Sequence, residues 1–125
     1  VDDMSENIGK VSVWTGNFEG EDEFFSYVEK TYEGDSVSSG FISDLKVEWY
    51  DEDFAEGVYL RKSGDAESAL DELSWGASFV PKIASVVDLN KVNSIYVVYD
   101  FDGSPTAAIT NGRLRFLGVY EYSKN

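Results

Sequence analysis

The densest group of chemically capable side chains in this chain is Asp51-Glu52-Asp53, with Glu48 and Glu56 close by. Carboxylates at this density can dock Lys and Arg of a partner, hold a divalent cation, or simply solvate a turn. Calcium loops supply about 6–8 oxygen ligands at set spacing around a glycine turn. This segment carries aromatics at 49, 50 and 54 where such a loop needs its glycine, which argues against a metal. Asp100-Phe101-Asp102-Gly103-Ser104 holds only a fragment of the calcium pattern, because the spaced oxygen residues and the later Glu are missing. A turn is the better reading there. Trp49-Tyr50 abuts the acidic triplet. Trp and Tyr concentrate at the centres of protein interfaces, with charges at the rim. An aromatic pair ringed by carboxylates therefore suits a face aimed at a basic, partly apolar cleft. The alternative is that Trp49, like Trp14 and Trp75, belongs to the core. A second acidic run, Glu21, Asp22 and Glu23, opens a segment with helical spacing.

Other chemistries find little support. The chain has no His and no Cys, which removes the commonest general base, the commonest zinc ligands and any disulfide or thiolate site. Paired carboxylates can do acid–base work. With 24 Asp and Glu present, however, some pair always looks plausible. No Walker A or dinucleotide fingerprint occurs, and no basic patch with interleaved aromatics. The expectation is no catalytic residue, no metal, no cofactor and no nucleic-acid binding.

Charge sharpens the question of a partner. Residues 1–72 carry 20 Asp and Glu against 5 Lys and Arg, while residues 73–125 carry 4 against 5. Such a surplus costs the folded state self-repulsion and creates a field that attracts cationic partners. It repels nucleic acid and anionic membranes. At 125 residues the chain suits one domain with a real core, supported by 42% hydrophobic and 15% aromatic residues. No apolar run approaches the ~20 residues that span a bilayer. No cleavable signal peptide is visible, and a cytoplasmic location fits the absence of Cys. Met4 is a candidate start, with Val1–Asp3 as non-native residues.

Residues 1–9 read as a flexible segment and 10–125 as one domain. Lys10–Thr15 alternates as a strand, with Gly16-Asn17 ending it. Glu21–Tyr32 places apolar residues at 24, 25, 28 and 32, the spacing of a helix that Gly34-Asp35 closes. Val37–Leu45 is a weaker helix with Phe41, Ile42 and Leu45 inward. Val47–Tyr50 and Val58–Leu60 are short strand candidates. Asp65 caps a helix through Leu73, and Phe79–Leu89 is another with Pro81 in its first turn. Ile95–Phe101 reads as a buried central strand. Thr106–Thr110 and Arg113–Tyr122 flank Asn111-Gly112, a strong hairpin signal. The order implies an α+β fold: a mostly antiparallel sheet, helices packed on one face, and a C-terminal β-hairpin.

Three stretches together carry a resemblance: Val11-Ser12-Val13-Trp14-Thr15-Gly16-Asn17-Phe18 before the acidic helix, Trp49-Tyr50-Asp51-Glu52-Asp53-Phe54, and the strands 95–101 and 114–120. From about residue 10 to 122 the chain resembles the immunity protein 22 family of bacterial polymorphic-toxin systems. The resemblance implies an α+β antidote, encoded beside a toxin and binding it. Toxins that act on nucleic acid need a basic cleft, which carboxylates can occupy as phosphate mimics. The expected partner is thus a basic toxin, a nuclease. The expected contact residues are Glu21, Asp22, Glu23, Trp49, Tyr50, Asp51, Glu52 and Asp53. An acidic DNA mimic of broader reach and a carboxylate-based enzyme or cation-binding module are the alternatives.

Overall fold

Ser94–Tyr99 (β5) is buried at every residue, and after Ser94 it is an unbroken apolar and aromatic run. That pattern needs cover on both faces of the sheet. A computed structural model describes residues 9–34, 36–47, 50, 52–60, 73–86, 88, 91–109 and 112–122. Among these, six strands form two sheets. Lys10–Gly16 (β1), Ala55–Tyr59 (β4), β5 and Leu114–Glu121 (β6) make an antiparallel sheet in the order β4-β5-β1-β6. Thr31–Glu33 (β2) and Ser36–Ser38 (β3) pair as a separate ribbon. Three α-helices are described: Glu21–Val28 (α1), Gly40–Leu45 (α2) and Val80–Ala84 (α3). The α+β class and the central place of β5 follow the expectation.

The sheet has two cores, one on each face. On one side Val11, Val13, Ile95, Val97 and Tyr99 pack with Phe79 and Ile83 around α3. On the other, Trp14, Tyr96, Val98 and Leu114 pack with Phe24 and Val28 of α1 and Phe41 and Leu45 of α2. Helices therefore lie on both faces, which corrects the one-face expectation. In β6 the register slips between Val13↔Gly118 and Trp14↔Phe116, leaving Leu117 as an extra residue. Such a bulge inverts the alternation. Leu114 and Phe116 join the α1/α2 core, whereas Leu117 and Tyr120 pack against the α3 core.

Trp14 is the fixed point of the α1/α2 core. It has no exposed surface. Its ring meets Phe41 edge-on at 4.9 Å, and its Nε1–H donates to Thr106 Oγ1 at 3.0 Å. The Thr106 hydroxyl donates in turn to the Gly103 carbonyl at 2.8 Å. A Cβ at Gly103 would come within 2.5 Å of the indole, so only glycine permits this approach.

Several boundaries differ from the sequence expectation, each for a local reason. The helix begun at Glu21 ends at Val28, because Glu29 turns extended while its N–H still reaches the Phe25 carbonyl. Tyr32 lies in β2, and Gly34, at φ 60, serves the β2–β3 turn. In the next helix Ser39 caps the start, its hydroxyl accepting from the Ile42 N–H at 3.0 Å, so Val37 is left in β3. Val47 and Tyr50 are not in a strand. The helix at 79–89 shortens to α3. Ser104–Ala108 is a 3-10 helix, with Pro105 in its first turn. Residues 106–109 thus offer no strand to β6, which pairs with β1 instead. The expected C-terminal hairpin is replaced by that long-range pairing. Of the segment expected to be flexible, 1–9, residues 1–8 lie outside the described residues, as does most of the helix expected at 65–73, while Gly9 donates its N–H to Asp100 Oδ1 at 2.9 Å.

Candidate binding face

Among the described residues, helix α1 and the segment leading into β4 both carry carboxylates of the acidic first half, and the two elements pack together. Rings of Phe24 and Phe25 lie 3.1 and 3.3 Å from where a Cβ of Gly57 would sit, so α1 closes down on β4 at its one glycine. At the far end of the helix, the Lys30 ammonium donates to the Tyr50 carbonyl at 2.7 Å. It also lies 4.1 Å from the centroid of the Tyr50 ring. At the near end, Arg113 stands over the Phe18 ring at 4.3 Å and pairs with Glu23 at 2.5 Å. The two cations bordering α1 are thus both tied down within the molecule.

The expected contact residues divide accordingly. Asp22 is exposed, and Glu21 is partly exposed with an interaction of its own. Glu23 is committed: besides Arg113, its carboxylate accepts from the Glu19 N–H at 3.1 Å. The Arg113 hydrogen bond holds its pKa below the usual carboxylate range. Glu52 and Asp53 form a 3-10 turn with Phe54, and Asp53 is exposed. Trp49 and Asp51 lie outside the described residues. Tyr50 corrects the expectation. It is 1% exposed, its ring meets Phe41 edge-on at 5.7 Å, and its hydroxyl shares a hydrogen bond with Tyr96 at 3.0 Å. A ring and hydroxyl both satisfied inside the core cannot anchor a partner.

The exposed face of α1 carries Asp22, Phe25 and Ser26, at i, i+3 and i+4, and the exposed Glu29 follows as its C-cap. Phe25 keeps 39% of its surface exposed. Glu29, Phe25, Tyr32, Val37 and Phe54 are surface residues that sequence reasoning missed. Phe25 and Tyr32 fell on apolar helical spacing and so read as inward. The signal that could have separated Tyr32 is its place in Thr-Tyr-Glu-Gly-Asp-Ser-Val-Ser, two short β-prone runs around Gly34-Asp35.

The remaining titratable clusters do structural work. The hydroxyls of Tyr27, Tyr99 and Tyr122 donate to Asp44, Glu56 and Asp100 at 2.8, 2.8 and 2.7 Å. Burial, and then the neighbouring carboxylate, raises all three phenol pKa values. This is the opposite of what a basic or nucleophilic tyrosine needs. Among the described residues no group of three or more His, Cys, Asp or Glu could hold a metal ion. No described helix is long and apolar enough to cross a membrane.

No curated protein and no solved structure matches the chain. A family model described as Immunity protein 22 matches residues 11–123. The match runs from the start of β1 to just beyond Tyr122 and takes in both cores, the acidic helix and the turn before β4, and the chain belongs to the immunity protein 22 family.

Proposed function

We propose that this protein neutralises a cognate bacterial toxin by binding it, without catalysis, and that its acidic edge meets a basic cleft of that toxin. Membership of an immunity family across residues 11–123 carries the reading. The distribution of charge supports the choice of surface. Residues 19–35 hold seven Asp and Glu against one Lys, and that Lys is turned inward onto Tyr50. Asp22, Asp53 and Glu29 are exposed, with Glu21 beside them. Asp51 and Glu52 add charge in sequence, and Trp49 is the remaining candidate for the aromatic anchor next to them. Glu23 holds Arg113 and serves the face from behind.

A nuclease is the toxin class that best fits. Its cleft must be basic to hold a phosphate backbone, and carboxylates on a rigid edge can occupy those phosphate positions. Opposite charge also speeds encounter, to about 10⁸ M⁻¹s⁻¹ or more at low salt in steered pairs. A nuclease acting on cellular nucleic acid would be met in the cytoplasm. Co-expression with the toxin gene next to this one tests the reading. Growth should be rescued and the two products should co-purify. Unrelieved toxicity with no complex contradicts it, and capture of several unrelated basic proteins with equal strength favours the DNA-mimic alternative.

A further inference from the structure

The β2–β3 ribbon stands outside both cores. Tyr32 and Val37 face one another as a direct cross-strand pair, and among the described residues neither is a member of the two core clusters on the sheet, though Tyr32 has an interaction of its own. They are 57% and 44% exposed, among the most exposed large apolar side chains in the described molecule. The ribbon has three residues per strand. Two-stranded ribbons this short are marginal on their own. A pair of large apolar groups with about half their surface in water gains when a partner covers that surface.

Charge decides which partner that is. The ribbon follows α1 after two residues and lies within the run of seven carboxylates. A second copy of this chain would bring like charges face to face. An anionic lipid surface or a nucleic acid would be repelled in the same way. What remains is a protein surface with an apolar pocket and a rim of Lys and Arg.

We infer that the β2–β3 ribbon is a prong of the toxin-binding face, with Tyr32 and Val37 seated in an apolar, basic-rimmed pocket of the toxin. This rests on the toxin-binding reading and adds to it the apolar anchor that Tyr50 cannot supply. In this division of labour the carboxylates of α1 set the rate of encounter, and the Tyr32–Val37 pair sets the lifetime of the complex. Gly34, whose φ of 60 suits the turn, holds the two strands in register for this contact.

The test uses the full chain and a catalytically inactive form of the neighbouring toxin. Tyr32→Thr with Val37→Thr removes the apolar surface but keeps residues suited to a strand. The expected result is dissociation faster by about 30-fold or more, with association and its salt dependence unchanged. Wild-type dissociation in the folded double variant overturns the prong and leaves the toxin reading standing. Failure of the wild-type chain to bind the toxin removes the reading beneath it as well. If the double variant folds poorly, hydrogen exchange on the wild-type chain takes its place. Amides of residues 31–38 should exchange more slowly in the complex, and equal exchange in the free and bound protein overturns the inference.

Discussion

Glu56 and Asp22 are both carboxylates beside aromatic side chains in the acidic half of the chain, and the molecule uses them in opposite ways. Glu56 accepts the N–H and the hydroxyl of Ser74 at 2.8 and 2.9 Å and the hydroxyl of Tyr99 at 2.8 Å. The Tyr99 ring in turn meets Trp75 and Tyr122 at centroid distances of 4.9 Å each. Here acid and aromatic are locked together around the entry to the α3 side of the sheet. Asp22 is exposed on α1 beside Phe25, itself partly exposed. Density of Asp and Glu in the sequence does not separate these two cases. The donors that meet each carboxylate do. A carboxylate met by several internal donors holds the fold, and one on an open helix face is available to a partner.

The contrast can be broken by mutation, and the largest effect falls on the inward class. Trp14→Ala should cost about 3–5 kcal/mol in urea unfolding, because it empties the centre of the α1/α2 core. Any loss of binding should then follow the loss of folded protein. A cost below 1 kcal/mol contradicts the place given to this residue. Glu56→Ala comes next, at about 1.5–3 kcal/mol, since it strips a charged acceptor from three donors. Asp22→Ala should stay within about 0.5 kcal/mol of wild type in the same measurement. Equal costs for the two would erase the distinction between the regions.

pH sharpens the comparison further. Tyr27, Tyr99 and Tyr122 have pKa values raised above the ordinary 10.0, chiefly by burial. Their contribution to stability is complete below pH 10 and is lost as pH rises toward the folded-state values. Absorbance of phenolate should therefore lag behind that of free tyrosine and appear with the loss of circular dichroism. Ionisation of all eight tyrosines near pH 10 in a folded chain contradicts this. On the acid side the smallest effect belongs to Glu23. Its pKa lies below 4.5, so the Arg113 pair contributes above that value and fades as pH falls through the folded pKa. Glu23→Gln should flatten the acid limb of stability slightly, and an unchanged limb removes the pair from the account.

Much of this architecture was legible in the sequence. The alternation of Lys10–Thr15 and the β-branched run of Ile95–Tyr99 give β1 and β5 directly. The buried run of β5 also implied cover on both faces, a consequence the one-face expectation overlooked. The ribbon at 31–38 was hidden because Phe24, Phe25, Val28 and Tyr32 fit a helical period that tertiary contacts cut short at Val28. Lys30 turning inward to Tyr50 is one such contact, and no local pattern announces it. The strand expected at 106–110 gave way to a 3-10 helix whose Thr106 is needed under Trp14, a contact 92 residues apart. Of the contact face, the acidic helix was readable from charge alone. The burial of Tyr50 was not, since it depends on Phe41 and Tyr96 meeting its ring from two separate elements.

The central claim is that the outward carboxylates steer this protein to a basic partner. Its most direct test is the association rate with the inactive neighbouring toxin as a function of salt, for wild type and for Asp22→Lys with Asp53→Lys. The account predicts wild-type association that falls steeply with salt, and a double variant slower by about 10-fold or more at low salt with a flattened dependence. Identical rates and identical salt dependence for the two proteins would contradict it.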